Sequence, residues 1–210
     1  MIFKDRIDAG KRLANLLGHF KGMDGIILAI PRGGVVVASE ISKALSFPIE
    51  IVIPRKIGAP NQPELAIGAI SEDGSTILNE DIINSIGVSP EYIKEESERQ
   101  LTEIARRAES YRAGGTRLSV NGKTVILVDD GIATGATLRA AVKSALNQSP
   151  ANLSIAIPVG PPQTVKELQD EVDVICLHTP DVFYAIGAFY SDFRQTTDEE
   201  VTRYLEKSRE

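Results

Sequence analysis

Two adjacent acidic residues, Asp129 and Asp130, follow directly on the short apolar run VILV at 125–128. A run of this kind is typical of a strand that is buried on both faces, so the aspartates are expected where that strand leaves the core, at the edge of a sheet. Carboxylates accept hydrogen bonds and repel phosphate, which suits them to sugar hydroxyl groups. The pair therefore predicts contact with a sugar.

The residues after the pair, GIATGAT at 131–137, are small or hydroxyl-bearing and lead into a predicted helix. Small residues let the backbone curl around a ligand, and a helix N-terminus offers unpaired N–H groups and a positive dipole end. The stretch therefore predicts a phosphate site beside the sugar. Two familiar phosphate-binding motifs are excluded: the chain has no GxxxxGK[ST] motif, and this stretch lacks the GxGxxG motif of dinucleotide-binding folds. For an isolated Asp-Gly pair, the alternative is a plain strand–turn–helix corner in which Asp130 caps the helix.

Segments of strand and helix character alternate along the chain, which favours an α/β fold with a mostly parallel central sheet flanked by helices. The strands are predicted at 25–30, 49–53, 124–128, 153–157 and 172–177. The helices are predicted at 5–20, 35–45, 89 to the glycines at 114 and 115, 135–146, 162–169, and from 198 onward. The polar stretch 55–75 interrupts this alternation and is predicted to be a long loop or an exposed hairpin.

The composition is that of one ordinary globular domain: 210 residues, 42% hydrophobic and 25% charged. A net charge of −6 and a pI near 5.1 argue against nucleic acid as a partner.

The single cysteine, Cys176, is predicted to be a reduced core thiol. Because no signal peptide and no apolar run of about 18 residues is seen, a cytoplasmic protein without a membrane span is expected. His19 and His178 have no partner at metal-ligand spacing and receive no role.

The stretch VILVDDGIATGAT at 125–137 resembles the phosphoribosyl pyrophosphate (PRPP) motif of type I phosphoribosyltransferases. The arrangement of segments as a whole, including the tail FYAIGAFYSDF, is most similar to the predicted bacterial and archaeal members whose base is not assigned. The resemblance implies one Rossmann-like domain over 1–210, with a mobile loop or hairpin at about 55–75 and a small hood at about 179–195. It also implies that Asp129 and Asp130 bind the ribose 2- and 3-hydroxyls. The 5-phosphate would lie in the loop formed by Ala133, Thr134, Gly135, Ala136 and Thr137.

A second stretch, AIPRGG at 29–34, resembles the pyrophosphate loop of the same family. The resemblance implies that the backbone of Pro31, Arg32, Gly33 and Gly34 holds the diphosphate, with Arg32 adding charge, and that the loop contains a cis non-proline peptide, as it often does in relatives. Alone, AIPRGG would be read as an ordinary turn between a strand and a helix. We call residues 31–34 the diphosphate loop and residues 133–137 the phosphate loop.

A third stretch, IPRKIGAP at 53–60, resembles the Arg-Lys start of the mobile catalytic loop in adenine-type members. Two cations after a strand end could meet the diphosphate, and the polar residues that follow could close over the site. Lys56 is preferred over Arg55 as the catalytic cation. The alternative is a solvent-exposed basic loop.

The tail, TPDVFYAIGAFYSDF at 179–193, lies where relatives place a hood that grips the base. Phe183 and Tyr184 are the candidate base contacts, since an aromatic side chain can stack on a heterocycle. The stretch departs by one residue from the PDxFVVG pattern of hypoxanthine-type enzymes and lacks its usual lysine, which leaves the base open. Alternatively, these aromatic residues pack the tail onto the sheet.

The resemblance implies displacement of pyrophosphate from C1 of PRPP by a nitrogenous base, with Mg²⁺ carried by PRPP near Asp129 and Asp130 and Lys56 at the leaving group. A homo-oligomer, most simply a dimer, is expected. Two alternatives stay open: a regulatory protein that binds PRPP or a nucleotide without turnover, and a hydrolase that acts on a ribose phosphate. The sequence does not identify the base.

Overall fold

The computed structural model describes residues 1–112 and 115–208, so the predicted helix end at Gly114 lies outside the described residues. The strands are β1 (Gly25–Ala29), β2 (Ile49–Ile51), β3 (Arg55–Ala59), β4 (Gln62–Ile70), β5 (Thr76–Leu78), β6 (Thr124–Val128), β7 (Asn152–Val159) and β8 (Asp173–His178). The helices are α1 (Arg6–Leu16), α2 (Gly33–Leu45), α3 (Glu80–Ile86), α4 (Pro90–Arg112), α5 (Ala136–Leu146), α6 (Pro162–Gln169) and α7 (Asp198–Lys207).

Five strands form a parallel central sheet in the order β2–β1–β6–β7–β8, which confirms the predicted fold class. All residues of β1 and β6 are buried, as expected for parallel strands covered on both faces. Ala29 at the end of β1 lies opposite Val128 at the end of β6. The two stretches that follow these strands, about 100 residues apart in sequence, therefore start side by side at the carboxyl edge of the sheet, where ligands of open α/β sheets bind.

The first helix is shorter than predicted. α1 starts after Asp5, whose side chain accepts from the Asp8 N–H, but it ends at Leu16 instead of Phe20. The N–H groups of Leu17 and Phe20 bond to carbonyls three residues back, so Gly18–Phe20 forms a 3₁₀ turn.

The stretch 55–75 is a hairpin and not a long loop. Strands β3 and β4 pair antiparallel through a two-residue turn at Pro60 and Asn61, and β5 adds a third strand. The tip of the hairpin is exposed, whereas Ile57 and Ile67 of its inner part are fully buried in the core. Strand β5 and helix α3 were not predicted from the sequence.

The tail after β8 is tied to the N-terminal segment. The Phe3 N–H donates to the Phe189 carbonyl at 2.8 Å, and the Ser191 N–H donates to the Phe3 carbonyl at 2.8 Å. The rings of Phe3 and Tyr190 are buried against each other with centroids 5.3 Å apart. These contacts bring the tail and the start of α1 to the same side of the molecule.

Cys176 lies partly buried in β8, and burial raises the pKa of its thiol to about 11. A protonated thiol of this kind is chemically inert at neutral pH, in line with the predicted structural role. Among residues 1–112 and 115–208, no helix has the length and apolar composition that crossing a membrane requires.

Candidate functional site

The diphosphate loop connects β1 to α2 and packs directly against the acidic pair. Its Pro31–Arg32 peptide bond is cis, as the resemblance implied. A Cβ atom on Gly33 would lie 1.9 Å from Asp130 Oδ2, and one on Gly34 would lie 2.8 Å from the Val128 carbonyl oxygen. A side chain at position 34 would therefore clash with the backbone at the end of β6, and one at position 33 would displace the Asp130 carboxylate.

The acidic pair is linked internally, since the Asp130 N–H donates to Asp129 Oδ1 at 2.8 Å. Burial and the neighbouring Asp130 carboxylate hold the pKa of Asp129 well above its usual value. Burial also raises the pKa of Asp130, while the Arg6 guanidinium opposes that shift. A bound cation, or hydroxyl groups that donate hydrogen bonds, would therefore stabilise the charged form of these two carboxylates.

Arg6 at the start of α1 is a site residue that the sequence analysis missed. Its Nε lies 2.7 Å from Asp130 Oδ2, and both side chains are largely buried, at 11% and 13% exposure. Its Nη1 donates to the Arg194 carbonyl at 2.8 Å, and its guanidinium carbon lies 3.9 Å from the Phe193 ring centroid. The Tyr190 hydroxyl donates to the Asp130 carbonyl at 2.6 Å. The acidic pair is thus tied to both the N-terminal helix and the tail.

The phosphate loop leads into α5 with its backbone held from two sides. The Ile132 N–H donates to the Val159 carbonyl at 2.9 Å, and the Thr164 hydroxyl donates to the Ala133 carbonyl at 3.0 Å. Gly135 is the N-cap of α5 with a φ of 75°, a conformation that favours glycine. The side chain of Thr134 is exposed, so the N-terminal end of α5 is open to a ligand.

A cleft of about 360 Å³ lies where these parts meet, and we call it the central cleft. Of the predicted site residues, it brings together Pro31, Arg32, Gly33, Asp129, Asp130 and Thr137. Arg6, Phe193, Gln195 and Thr196 close its other side. The other members of the phosphate loop lie beyond this cleft, and Thr134 and Ala136 line a neighbouring cavity of about 620 Å³.

Lys56 is exposed on β3 and lies between two cavities. It lines the 620 Å³ cavity together with Thr134 and Ala136. It also lines a cleft of about 390 Å³ together with Pro31 and Thr137. The hairpin therefore places this cation beside both loops, whereas the sequence predicted it beside the diphosphate alone.

Phe183 and Tyr184 are not brought to the central cleft. Phe183 stacks on Phe189 with ring centroids 5.4 Å apart, and Tyr184 is 89% exposed. The aromatic residue of the predicted hood that does line the cleft is Phe193. There it contacts the guanidinium of Arg6 and the ring of Tyr190.

Within the described ranges, no three His, Cys, Asp or Glu side chains form a group that could hold a metal ion. The acidic pair still fits Mg²⁺, which proteins commonly bind through one or two carboxylates while substrate phosphates and water complete its coordination. Asp129 and Asp130 are therefore the residues that could hold a magnesium ion delivered with a phosphorylated substrate.

The chain belongs to the phosphoribosyl transferase domain family, whose model matches residues 4–194. Two Mycobacterium tuberculosis proteins, from strains CDC 1551 and H37Rv and named provisionally as phosphoribosyl transferases, are each 41% identical over 208 residues. The match covers 99% of this chain and 47% of theirs, so the chain spans about half the length of these curated relatives.

The structure of TT1426 from Thermus thermophilus is 38% identical with a TM-score of 0.84, and the match covers 99% of both chains. A hypothetical protein from Neisseria gonorrhoeae, solved with bound ppGpp, has a TM-score of 0.51 at 16% identity over 99% of this chain and 94% of its own. The second likeness shows a shared fold alone. The fold is that of the type I phosphoribosyltransferases.

Proposed function

We propose that this domain transfers the 5-phosphoribosyl group of PRPP to a nitrogenous base and releases pyrophosphate. The observation that carries the proposal is the central cleft, which the diphosphate loop, the acidic pair and the first turn of α5 all line. These three parts suit the three polar parts of PRPP: the diphosphate, the ribose hydroxyls and the 5-phosphate. Family membership supports phosphoribosyl transfer in general.

The protein would bind PRPP mainly through its backbone. Amides of the diphosphate loop would face the diphosphate, and the open N-terminus of α5 would face the 5-phosphate. Asp129 and Asp130 would accept hydrogen bonds from the ribose hydroxyls and fix the sugar between the two anionic ends. This arrangement would present C1 of the ribose to a base that enters along the side of the cleft that Phe193 and Gln195 line.

The reaction would proceed through a transition state with oxocarbenium character, in which the base forms its bond to C1 as the bond from C1 to the diphosphate oxygen breaks, and the protein would mainly stabilise the developing charge. Bound Mg²⁺ would neutralise diphosphate charge and favour its departure. Lys56 would approach the leaving diphosphate from the hairpin. Closure of the β3–β4 hairpin would exclude the water that hydrolyses PRPP.

The proposal is tested by incubating the protein with PRPP and Mg²⁺, with and without a pool of purine and pyrimidine bases, and measuring pyrophosphate. Base-dependent release is the expected result. Release that does not need a base would identify a hydrolase of a ribose phosphate. Binding of PRPP without release would identify a regulatory protein, and either outcome would overturn the proposed transfer.

A further inference from the structure

A second cleft, of about 330 Å³, lies beside the central cleft, between the start of α1, the tail and α7. Its volume is at the lower end of the range of about 300–1,000 Å³ that is typical of ligand-binding clefts. Arg6, Gln195 and Thr196 line both clefts, so these residues lie at the boundary between them. We call this cavity the side cleft. It adjoins the side of the central cleft along which the base would enter.

Thr196, at this boundary, is a buried polar residue whose hydroxyl group has no partner. The residue is 6% exposed. Within the part of the chain that the structure describes, its hydroxyl group forms no hydrogen bond, whereas the hydroxyl of the neighbouring Thr197 accepts from the Glu200 N–H at 3.2 Å. Buried polar groups are normally hydrogen-bonded, because an unpaired one costs free energy. A ligand that crosses the boundary would supply a hydrogen bond that the protein does not.

The side cleft carries negative charge that its own cations do not neutralise. Its charged lining residues are Asp5, Arg6, Asp192, Arg194 and Glu200. Arg6 is bound by Asp130, and Arg194 is bound by Asp192. Among the described residues, no cation forms an ion pair with Asp5 or Glu200. A cleft lined by two such carboxylates attracts small cations.

Helix caps hold both of these carboxylates in place. Asp5 Oδ1 accepts from the Asp8 N–H at 2.8 Å at the start of α1. Glu200 Oε2 accepts from the Thr197 N–H at 2.9 Å in the capping box of α7. Each cap uses one oxygen of the carboxylate, so the other oxygen can accept from a ligand, and a group that is already fixed loses little entropy when it binds.

Apolar surface accompanies these charges in the side cleft. Ile7, Val36 and Tyr204 line the cavity together with the two carboxylates. A short alkyl chain that ends in a primary amine matches this combination, because its methylene groups can lie on apolar surface while its ammonium group reaches the carboxylates.

We propose that the side cleft binds an aminoalkyl substituent of the acceptor, so that the acceptor is a base that carries a primary amine on a short chain. The ammonium group would lie between the carboxylates of Asp5 and Glu200. The Thr196 hydroxyl would hydrogen-bond to the acceptor where the chain crosses the boundary. The link to the acceptor rests on the proposed function, whereas the binding of an amine in the side cleft does not.

The probe for the side cleft is 3-amino-1-propanol, and 1,3-propanediol is the matched probe without a positive charge. Titrations at constant ionic strength would be followed in ¹H–¹⁵N NMR spectra. We expect the amine alone to give saturable shifts of the amides of residues 192–200, with a dissociation constant in the millimolar range, as suits a ligand of about five non-hydrogen atoms.

Asp5→Asn removes one of the two charges and keeps the cap of α1, since Asn caps a helix as well as Asp does. It should weaken amine binding by about three- to tenfold. Asp24→Asn removes an exposed carboxylate that pairs with Lys123 outside the side cleft, and it should leave amine binding unchanged.

Thr196→Val removes the unpaired hydroxyl and should also weaken amine binding by about three- to tenfold. Its melting temperature should equal or exceed that of the parent protein, because no hydrogen bond within the protein is lost. Thr202→Val is the control, since the Thr202 hydroxyl donates to the Asp198 carbonyl at 3.2 Å on α7 and does not line the side cleft. This control should bind the amine as the parent protein does.

The link to the acceptor is tested in the pyrophosphate assay with PRPP and Mg²⁺. Adenine, guanine and cytosine would each be supplied bare, with a 3-aminopropyl group and with a 3-hydroxypropyl group on the exocyclic nitrogen. For at least one base, the aminopropyl form should have a KM about tenfold below that of the hydroxypropyl form. Asp5→Asn should remove this difference in KM and leave kcat unchanged.

Equal shifts with 3-amino-1-propanol and 1,3-propanediol would overturn the side cleft as an amine site, and so would unchanged amine affinity in Asp5→Asn. A melting temperature of Thr196→Val below that of the parent protein would show that the hydroxyl has a structural role and would overturn its part in binding. Amine binding with equal KM values for the two substituted forms would overturn the link to the acceptor.

These outcomes are separable from that of the proposed function. A protein that binds the amine through Asp5 but releases no pyrophosphate with any base keeps the side cleft as an amine site and loses the proposed function. A protein that releases pyrophosphate with bare bases and does not bind the amine keeps the proposed function and loses the side cleft.

Discussion

The carboxyl edge of the central sheet and the β3–β4 hairpin contribute to the same site by different means. At the sheet edge, buried strands place glycine backbone against the ends of their neighbours, and a Cβ on Gly33 would meet Asp130 Oδ2 at 1.9 Å. The hairpin instead presents an exposed side chain, Lys56, from a strand whose inner residues alone are buried.

This difference separates two tasks. In the proposed function, the sheet edge would provide a rigid backbone geometry for phosphate and ribose, while the hairpin would provide a charge on a flexible side chain that can approach and withdraw. Substitutions at the sheet edge should therefore abolish the binding of PRPP, and substitutions on the hairpin should only weaken it. This ranking of edge above hairpin can be tested one residue at a time.

The largest effect is expected for Gly135→Val in the phosphate loop. Gly135 has a φ of 75°, and a Cβ there would lie 3.0 Å from Thr164 Cγ2, so a branched side chain should close the loop. Binding of PRPP and of a nucleoside 5-monophosphate should be lost together, by about 100-fold or more, which corresponds to roughly 2.7 kcal/mol. Pyrophosphate, held at the diphosphate loop, should still bind.

Gly122→Val is the control for Gly135→Val, because Gly122 has a similar φ of 70° but open space around its Cβ position. It should lose stability through backbone strain without losing 5-phosphate affinity. A folded Gly135→Val protein that keeps its monophosphate affinity would show that the loop does not hold the phosphate.

Asp130→Asn should weaken the binding of PRPP by about 10- to 100-fold, because a charged acceptor for a ribose hydroxyl is replaced by a neutral group. Asp24→Asn removes an exposed carboxylate that pairs with Lys123 and should leave PRPP affinity unchanged. Calorimetric titration with PRPP and Mg²⁺ measures both variants. Equal affinity in Asp130→Asn and the parent protein would remove this carboxylate from the site.

Lys56→Gln on the hairpin should weaken the binding of PRPP and of pyrophosphate by only about three- to tenfold, since an exposed charge contributes modestly to binding. The nucleoside 5-monophosphate, which has no diphosphate, should bind as before. Lys94→Gln, an exposed lysine on α4, serves as the control. If the loss in Lys56→Gln matched or exceeded that in Asp130→Asn, the ranking of edge above hairpin would be wrong.

The hairpin, residues 56–75, is predicted to be mobile without a ligand and to become ordered when PRPP binds. Hydrogen exchange followed by mass spectrometry should show faster exchange at its tip, residues 61–64, than in β6, because the tip is exposed and β6 is fully buried. Saturating PRPP should slow exchange at the tip. Protection equal to that of β6 in the unliganded protein would argue against a closing lid.

The sequence predicts the sheet edge well because its signals are local. A buried strand, an acidic pair and a small-residue loop are contiguous at 125–137, and their positions in a parallel sheet follow from the strand–helix alternation. The crowding of Gly33 and Gly34 by the end of β6 was not predicted, because it joins two stretches that lie about 100 residues apart in sequence.

Prediction from the sequence fails where residues in contact lie far apart along the chain, and it is incomplete where polar residues form strands. Arg6 reaches Asp130 across 124 positions, and nothing near either residue indicates this pairing. For 55–75 the sequence left a long loop and an exposed hairpin open, and the hairpin is confirmed, but polar residues and Pro63 hide the burial of Ile57 and Ile67 in the core. In the tail, Phe193 lines the cleft and contacts Arg6, whereas the predicted Phe183 stacks on Phe189 outside the cleft.

The most direct test of the proposed site is a calorimetric titration of the unmodified protein with PRPP in the presence of Mg²⁺. We expect one PRPP bound per chain, displaced by pyrophosphate and also by a nucleoside 5-monophosphate, while these two competitors bind together because they would occupy different loops. Absence of PRPP binding, or mutual exclusion of the two competitors, would contradict the placement of the diphosphate at residues 31–34 and of the 5-phosphate at residues 133–137.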